Sequence, residues 1–420
     1  MKEIKAGPIR NTAISLPGSK SYTHRLLIAA SLSEDKSRIY NCLDSEDTNY
    51  TLQVLMKLGV SAEKNADYID IKGTGGHFRA IEDPIDLGNS GTSMRLLTGI
   101  VALGQGGYVL TGTDRMKQRP IHPLLNALAQ IGVEAASLNG DGCPPVSIRG
   151  GKIAGGAVRI DLSVSSQYLS SLLLMAPLTK NGLEVEVEKG PVSKPYIDMT
   201  VDVLNRFGIQ VERDGYQSFW VQGGQSYRGG KYIVEPDASQ ASYFWAAAAI
   251  SGASVKIPNI PLTSLQGDVR FVHVLERMGC RVTEEKDGIT VTGKTLAGID
   301  VDMSDMPDLV PTLAVVAAFA EGRTIIRNVG HLRDKESDRL GAVRNELNKI
   351  GVSAKIEANN LILSGGTPTG GEIETYNDHR MAMSFAVAGV RTPGISIRNE
   401  GCVAKSFPKF WQVFSELYAS

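Results

Sequence analysis

No apolar run in the sequence is long enough to cross a bilayer: "WAAAAI" (245–250) and "LAVVAAFA" (313–320) fall well short of the roughly 20 residues a spanning helix needs. Net charge is scarce too. The 44 lysines and arginines against 45 aspartates and glutamates leave −1, which excludes a nucleic-acid or membrane-surface protein held by a general electrostatic field. Any anion site must be locally concentrated. The four cysteines, Cys42, Cys143, Cys280 and Cys402, are scattered without close pairing, so no disulfide framework is expected. The six histidines show no ligand-like spacing with one another or with cysteine, so a zinc site has no sequence support. No basic leader with an apolar stretch precedes "LPGSK", and a reduced cytoplasm is the expected home.

What is present is a 420-residue chain with 42% apolar residues, too long for one ordinary core, so two domains of about 200 residues are expected. Five segments read alike: "LQVLMKLGVSAE", "LNALAQIGVEAA", "VDVLNRFGIQVER", "VHVLERMGCRVTEE" and "RNELNKIGVSAK". Each predicts an amphipathic helix ending at a glycine suited to the left-handed position, with an alternating strand to follow. Those glycines, Gly59, Gly132, Gly208, Gly279 and Gly351, recur every 71 to 76 residues. A second series of six, "GSKSYTHRLLIAA", "GNSGTSMRLLTGIVA", "SSQYLSSLLLMA", "DASQASYFWAAAA", "PDLVPTLAVVAAFA" and "NDHRMAMSFAVA", opens long apolar helices with small or polar residues. Six units of strands and two helices, three to a domain, account for the chain, which starts partway through a unit.

Helices apolar on nearly all sides are packed within a domain. Six of them with N-termini turned to one cleft would gather free N–H groups and positive dipole ends into a receptor for negative charge. First-turn Ser, Asp and Asn have a plainer use as caps. Capping does not call for arginine, yet Arg25, Arg95 and Arg380 sit near these N-termini, where the dipole disfavours a cation unless an anion lies between. "YNDHRMAM" (376–383) concentrates the pattern in Asp378, His379 and Arg380.

"LPGSKSYTHR", "LGNSGTSMRLL", "RMKQRP", "SVSSQYLSSLLLMAP", "VSKPYID", "DASQASYFWAAAAI", "KESDRL", "YNDHRMAMSFA" and "AKSFP", in this order from Leu16 to Pro408, closely resemble the EPSP synthase family of enolpyruvyl transferases. The resemblance implies a two-domain inside-out α/β barrel, each domain of three βαβαββ repeats. It implies an N-terminal lobe of residues 20–235, a second lobe of 1–19 plus 236–420, hinges near Pro17–Ser19 and Glu235–Asp237, and an active site in the interdomain cleft. The implied reaction moves the enolpyruvyl group of phosphoenolpyruvate to the 5-hydroxyl of shikimate 3-phosphate and releases phosphate through a tetrahedral intermediate. A cytoplasmic monomer working without metal or organic cofactor is the implied form.

By the same resemblance, shikimate 3-phosphate would be held by Lys20, Ser21, Arg25, Ser165, Ser166, Gln167, Ser193, Asp308 and Lys335. Arg25 would meet its carboxylate; the serine pair, Ser193 and Lys335 would cradle its phosphate. Phosphoenolpyruvate would lie against Lys20, Asn89, Gly91, Thr92, Arg119, Gln167, Arg339, His379, Arg380 and Lys405. Asp308 is the implied base near the 5-hydroxyl, with Glu336 and Lys20 handling the proton at the methylene carbon. His379 would bind or orient only. The spacing of 335 to 339 predicts Lys335 and Arg339 on one helical face at i,i+4. Two positions depart from the family pattern: His331 stands where many relatives place an asparagine, and Leu96 where some have proline. Because Gly91 is glycine rather than alanine, the resemblance implies sensitivity to glyphosate at the phosphoenolpyruvate site.

Three rival readings exist. "GITVTGKT" (288–295) satisfies the phosphate-loop pattern, yet its β-branched alternation and the following "LAGIDVDM" predict strands rather than the required helix. The sister enolpyruvyl transferase acting on UDP-N-acetylglucosamine carries a reactive lid cysteine; here Cys143 in "GDGCPP" comes nearest and is read as an inert loop thiol. A non-catalytic anion-binding module would gain nothing from Asp308 and Glu336.

Overall fold

The glycine-terminated helices end as the sequence predicts. Gly59, Gly132, Gly208, Gly279 and Gly351 all have φ between 81° and 117°, a region closed to most side chains, and each releases the chain from a helix within two residues of a strand or extended segment. The computed structural model describes residues 1–418. Its chain forms two compact units, Gly18–Val234 and Met1–Pro17 with Glu235–Ser420, each around its own hydrophobic core.

In the Gly18–Val234 unit one repeat shows the pattern. Strand Ile85–Asp86 leads to the inner helix Gly91–Val101, strand Gly106–Thr111, the outer helix His122–Gln130 and the hairpin of Glu134–Ser137 with Val146–Gly150. Ile85 pairs Leu110 in parallel, while Leu110 pairs Val146 antiparallel. Gly156–Val221 repeats this order around the inner helix Gln167–Met175. The third sheet is closed by strand Lys231–Ile233 lying parallel to Lys36–Tyr40, so the last strand of the unit completes the repeat that its first helix, Lys20–Ser31, begins.

The other unit is built likewise around inner helices Ala238–Ser251, Val310–Ala317 and His379–Arg391. Strand Thr12–Ala13, donated by the start of the chain, runs parallel to Ser254–Pro258. The sixth repeat differs from its fellows: Gly371–Ile373 and Ile395–Ile397 pair in parallel and Lys2–Glu3 adds antiparallel, giving three strands where the other five sheets have four among the described residues. A 3-10 turn, Glu400–Lys405, and a short α-helix, Phe410–Ser415, follow. After Ile397 no glycine-ended helix with a following hairpin forms among the described residues, which is why the glycine series counts five and the inner series six.

The inner helices form the core of each unit. All eleven residues of Gly91–Val101 and all eight of Val310–Ala317 are buried. Leu172, Leu173 and Leu174 are each fully buried, worth about 1.5–3 kcal/mol apiece. Buried hydroxyls are satisfied between neighbours: Ser171 Oγ donates to Leu96 O at 3.0 Å, and Thr312 and Ser384 share a 3.1 Å bond. Such packing fixes the helix axes, and hence the direction of their N-terminal turns. Residues 288–292 form a strand and the next regular element is strand Asp300–Asp302, so no helix follows "GITVTGKT". Among the described residues no helix is long and apolar enough to cross a membrane.

Candidate active site

Four of the six inner helices are capped by their leading side chain. Ser19 accepts from Tyr22 N, Ser90 from Ser93 N, Asp237 from Gln240 N and Asp378 from Arg380 N, so the plain capping reading holds there. Ser166 differs: it occupies the N-cap of Gln167–Met175 without a side-chain cap bond, although it is buried. Ser165 Oγ accepts from Gln167 N at 3.3 Å. Ser193, also buried, holds φ at +57°, a costly conformation for a residue with a Cβ and one that recurs at ligand sites.

In the Gly18–Val234 unit the inner N-termini are tied together. Gln167 Nε2 donates to Thr92 Oγ1 at 3.0 Å, and Arg95 Nη1 donates to Gln167 Oε1 at 3.1 Å. Lys20 Nζ lies 3.0 Å from Asp47 Oδ2, both side chains largely buried. Arg119, buried, donates to Asn89 O at 3.1 Å and to Asn89 Oδ1 at 3.3 Å. Gly91 makes that placement possible: a Cβ there would sit 2.4 Å from an Arg119 guanidinium nitrogen.

Arg25 is the electrostatic anomaly. It is fully buried and donates to Thr200 Oγ1 at 2.7 Å, Ser21 O at 2.9 Å, Tyr196 O at 3.0 Å and Ser170 Oγ at 3.3 Å. Every acceptor is neutral, and no carboxylate of the described residues pairs with it. Burial lowers its pKa to about 10, slightly offset by Tyr196 and Tyr22. A buried cation with only neutral acceptors is costly, and an anionic ligand would remove much of that cost. Arg95 repeats the arrangement: buried, bonded to Gln167 and 5.5 Å over the Tyr168 ring, again with no carboxylate partner among the described residues.

The second unit carries the acids. Asp308 lies 2.7 Å from Arg380 Nη2, 3.0 Å from Arg339 Nη1 and 3.8 Å from Lys335 Nζ. Burial pushes its pKa up, but Arg380, Lys335 and Arg339 outweigh it and hold the carboxyl well below the usual range. Arg339 is fully buried and binds Glu336 at 2.7 Å and Asp378 at 2.9 Å as well as Asp308; burial lowers its pKa, but the three carboxylates raise it overall. Arg380 also reaches Tyr243 Oη at 3.4 Å. His379 is fully buried, its Nδ1 3.8 Å from Asp378 Oδ1. Lys405 is buried at the end of the Glu400–Lys405 turn. His331, partly buried, has its pKa lowered to about 4 by burial and then by Lys335, so it is neutral near pH 7.

The predicted helical face of Lys335 and Arg339 is not formed. Asp338 caps the helix through Gly341 N and the helix begins at Arg339, leaving Lys335 extended. The two cations meet at Asp308 instead. Sequence reasoning also missed Asp47 beneath Lys20, and the bond of Arg95 to Gln167. The signal for Arg95 was present in its first-turn position; Asp47 reads only as a helix-opening acid.

Thus Lys20, Ser21, Arg25, Asn89, Gly91, Thr92, Arg119, Ser165, Ser166, Gln167 and Ser193 belong to one unit, and Asp308, Lys335, Glu336, Arg339, His379, Arg380 and Lys405 to the other. Within each, buried cations stand at convergent helix starts, a chemistry fitted to carboxylates and phosphates. Burial pushes the thiols of Cys42 and Cys402 to about 12 and that of Cys280 to about 11, so none of these three is a thiolate nucleophile near pH 7.

Comparison with known proteins agrees with this chemistry. Residues 6–414 match the family described as EPSP synthase (3-phosphoshikimate 1-carboxyvinyltransferase). The 3-phosphoshikimate 1-carboxyvinyltransferase of Syntrophobacter fumaroxidans is 43% identical, over 96% of this chain and 96% of its own. That of Proteus mirabilis is 44% identical, over 96% and 95%, and the chloroplastic protein of Brassica napus 42%, over 99% and 85%. Among solved structures, EPSP synthase from Acinetobacter baumannii superimposes with a TM-score of 0.83 at 31% identity, over 99% of this chain and 98% of that one. The enolpyruvyl transferase NikO from Streptomyces tendae shares the fold, with a TM-score of 0.78 at 21% identity, over 99% and 96%. The fold is the two-domain inside-out α/β barrel, and the chain belongs to the EPSP synthase family.

Proposed function

We propose that the protein transfers the enolpyruvyl group of phosphoenolpyruvate to the 5-hydroxyl of shikimate 3-phosphate, releasing phosphate, as a step toward aromatic amino acids. Its substrates carry two carboxylates and two phosphates between them, and the buried Arg25, Arg119, Arg339 and Arg380 with Lys20, Lys335 and Lys405 match that demand in kind. Arg25 takes the carboxylate of shikimate 3-phosphate, while Ser165, Ser166, Ser193 and Lys335 take its phosphate; Ser21 and Gln167 complete its contacts. Phosphoenolpyruvate is held by Lys20, Asn89, Gly91, Thr92, Arg119, Gln167, Arg339, Arg380 and Lys405, with His379 fixing the start of the Arg380 helix.

The chemistry is an addition followed by an elimination. Asp308 takes the proton of the 5-hydroxyl, the substrate's 5-oxygen bonds to C2 of phosphoenolpyruvate as the C2–C3 double bond opens, and the methylene carbon gains a proton from the Glu336 and Lys20 pair. The tetrahedral intermediate then breaks its C2–O bond to phosphate and returns one methyl proton to the Glu336 and Lys20 pair, restoring the vinyl group. The observation that carries this reading is the pairing of acids with anion receptors: Asp308 and Glu336 lie within 3.0 Å of Arg339 nitrogens. A receptor built only to hold anions would be weakened by those carboxylates, whereas a proton-transfer site requires them.

The protein acts as a monomer in the cytoplasm, the site lies between lobes 20–235 and 1–19 plus 236–420, and glyphosate competes with phosphoenolpyruvate. Mixing purified protein with shikimate 3-phosphate and phosphoenolpyruvate and following phosphate is the direct test. Release that requires both substrates is expected; release with UDP-N-acetylglucosamine in place of shikimate 3-phosphate, or none with either, would overturn the assignment.

A further inference from the structure

One buried acid of the second unit has no part in the scheme above. Asp268, 4% exposed, sits in the short turn Gly267–Arg270 that packs on the inner helix Ala238–Ser251. Ser239, in the first turn of that helix, donates its hydroxyl to Asp268 Oδ2. Unlike Asp308, Glu336 and Asp378, Asp268 forms no ion pair among the described residues. Four residues along the same helix, and so on the same face, Tyr243 Oη contacts Arg380 Nη1 at 3.4 Å. Asp268 and the anion-binding Arg380 therefore contact side chains one turn apart on one face of that helix.

We propose that Asp268 is a positioning residue for Arg380: as a neutral acid it leaves the guanidinium to Asp308 and to the incoming substrate anion, and as a carboxylate it draws the guanidinium away. The groups that act on Asp268 are Asp308 and Asp237, which favour its neutral form, and Arg380 and Ser239, which favour its ionised form. Lys335 and Arg339 pair with Asp308, which faces Asp268. Burial, followed by Asp308, raises its pKa to about 7, so the switch falls near neutrality. Linkage is reciprocal: a bound anion holds the proton on Asp268, and loss of that proton weakens the anion.

This inference rests on the proposed reaction. Its test compares KM for phosphoenolpyruvate between pH 6 and 8.5 in wild type, Asp268→Asn and Ser239→Ala, with phosphate release as the readout. Asparagine mimics the neutral acid, so the ratio of wild-type to Asp268→Asn KM should be near one at the acid end and rise at least about fivefold at the alkaline end. Taking the ratio cancels the titration of the substrate itself. Ser239→Ala removes a bond that favours the carboxylate and should move the wild-type rise to higher pH; this arm decides the matter if Asp268→Asn does not fold. A flat ratio, or a Ser239→Ala profile superimposable on wild type, overturns the inference while leaving the reaction standing. Absence of turnover in wild type instead removes the reaction, and the inference with it.

Discussion

Replacing Arg25 by glutamine should separate ligand binding from folding. In the free protein the guanidinium is fully buried among neutral acceptors, and its pKa falls from 12.5 to about 10, so holding the charge there costs about 3 kcal/mol relative to water. Glutamine removes that cost but forfeits some of the four hydrogen bonds to Thr200, Ser21, Tyr196 and Ser170, each worth about 1 kcal/mol net. The two effects oppose, so stability should change by no more than about 1 kcal/mol. Binding of shikimate 3-phosphate has no such compensation. Loss of one partner from a buried charge pair costs about 2–5 kcal/mol, a weakening of roughly 30-fold to several thousandfold. Calorimetric titration with shikimate 3-phosphate, beside urea unfolding, measures both. Affinity within threefold of wild type would refute the assignment of Arg25 to the ligand carboxylate, and a stability loss as large as the binding loss would refute its description as a cation awaiting a partner.

Gly91→Ala should weaken phosphoenolpyruvate by about 1–2 kcal/mol and glyphosate with it, because the new Cβ would meet Arg119 at 2.4 Å; unchanged KM and inhibition would show that Arg119 does not serve that subsite. Arg339→Met should destabilise its unit by about 3–5 kcal/mol, since Asp308, Glu336 and Asp378 lose the cation they share, and denaturant unfolding should recover part of the loss at low pH as one acid protonates. His331→Asn should flatten the acid side of the stability profile. The folded-state pKa of His331 is lowered to about 4 from 6.5, so between those values the unfolded chain binds a proton that the native state does not. Wild-type stability therefore falls as pH drops through this window, by about 2 kcal/mol for this group after allowing for its partial exposure; urea titrations at pH 7 and pH 4.5 should show a smaller loss in the variant.

The sequence revealed most where one residue type had one structural use. A glycine after an amphipathic helix must take positive φ, and the five such glycines mark five repeats. Helices apolar all round can only be interior, and the six of that kind are buried. Legibility failed where one residue type serves several ends. "KESDRL" reads as continuous helix by spacing, but Asp338 stops it by capping Gly341 N, so Lys335 and Arg339 converge through Asp308 rather than along a helix. Asp47 and Asp268 look like ordinary turn or helix-start acids, and only tertiary packing buries them beside Lys20 and Ser239. The three-stranded sheet of the sixth repeat was not legible because Lys2–Glu3, at the far end of the chain, supplies its third strand.

The carboxylates beside the anion receptors are assigned to proton transfer, and hydrogen exchange at the methylene carbon reports that most directly. Turnover of shikimate 3-phosphate and phosphoenolpyruvate in deuterium oxide, with the product's vinyl protons counted by magnetic resonance, should show deuterium carried in from solvent, since the methylene carbon becomes a methyl group and then loses one of its three hydrogens. Product formed with release of phosphate and an undeuterated vinyl group would contradict the mechanism.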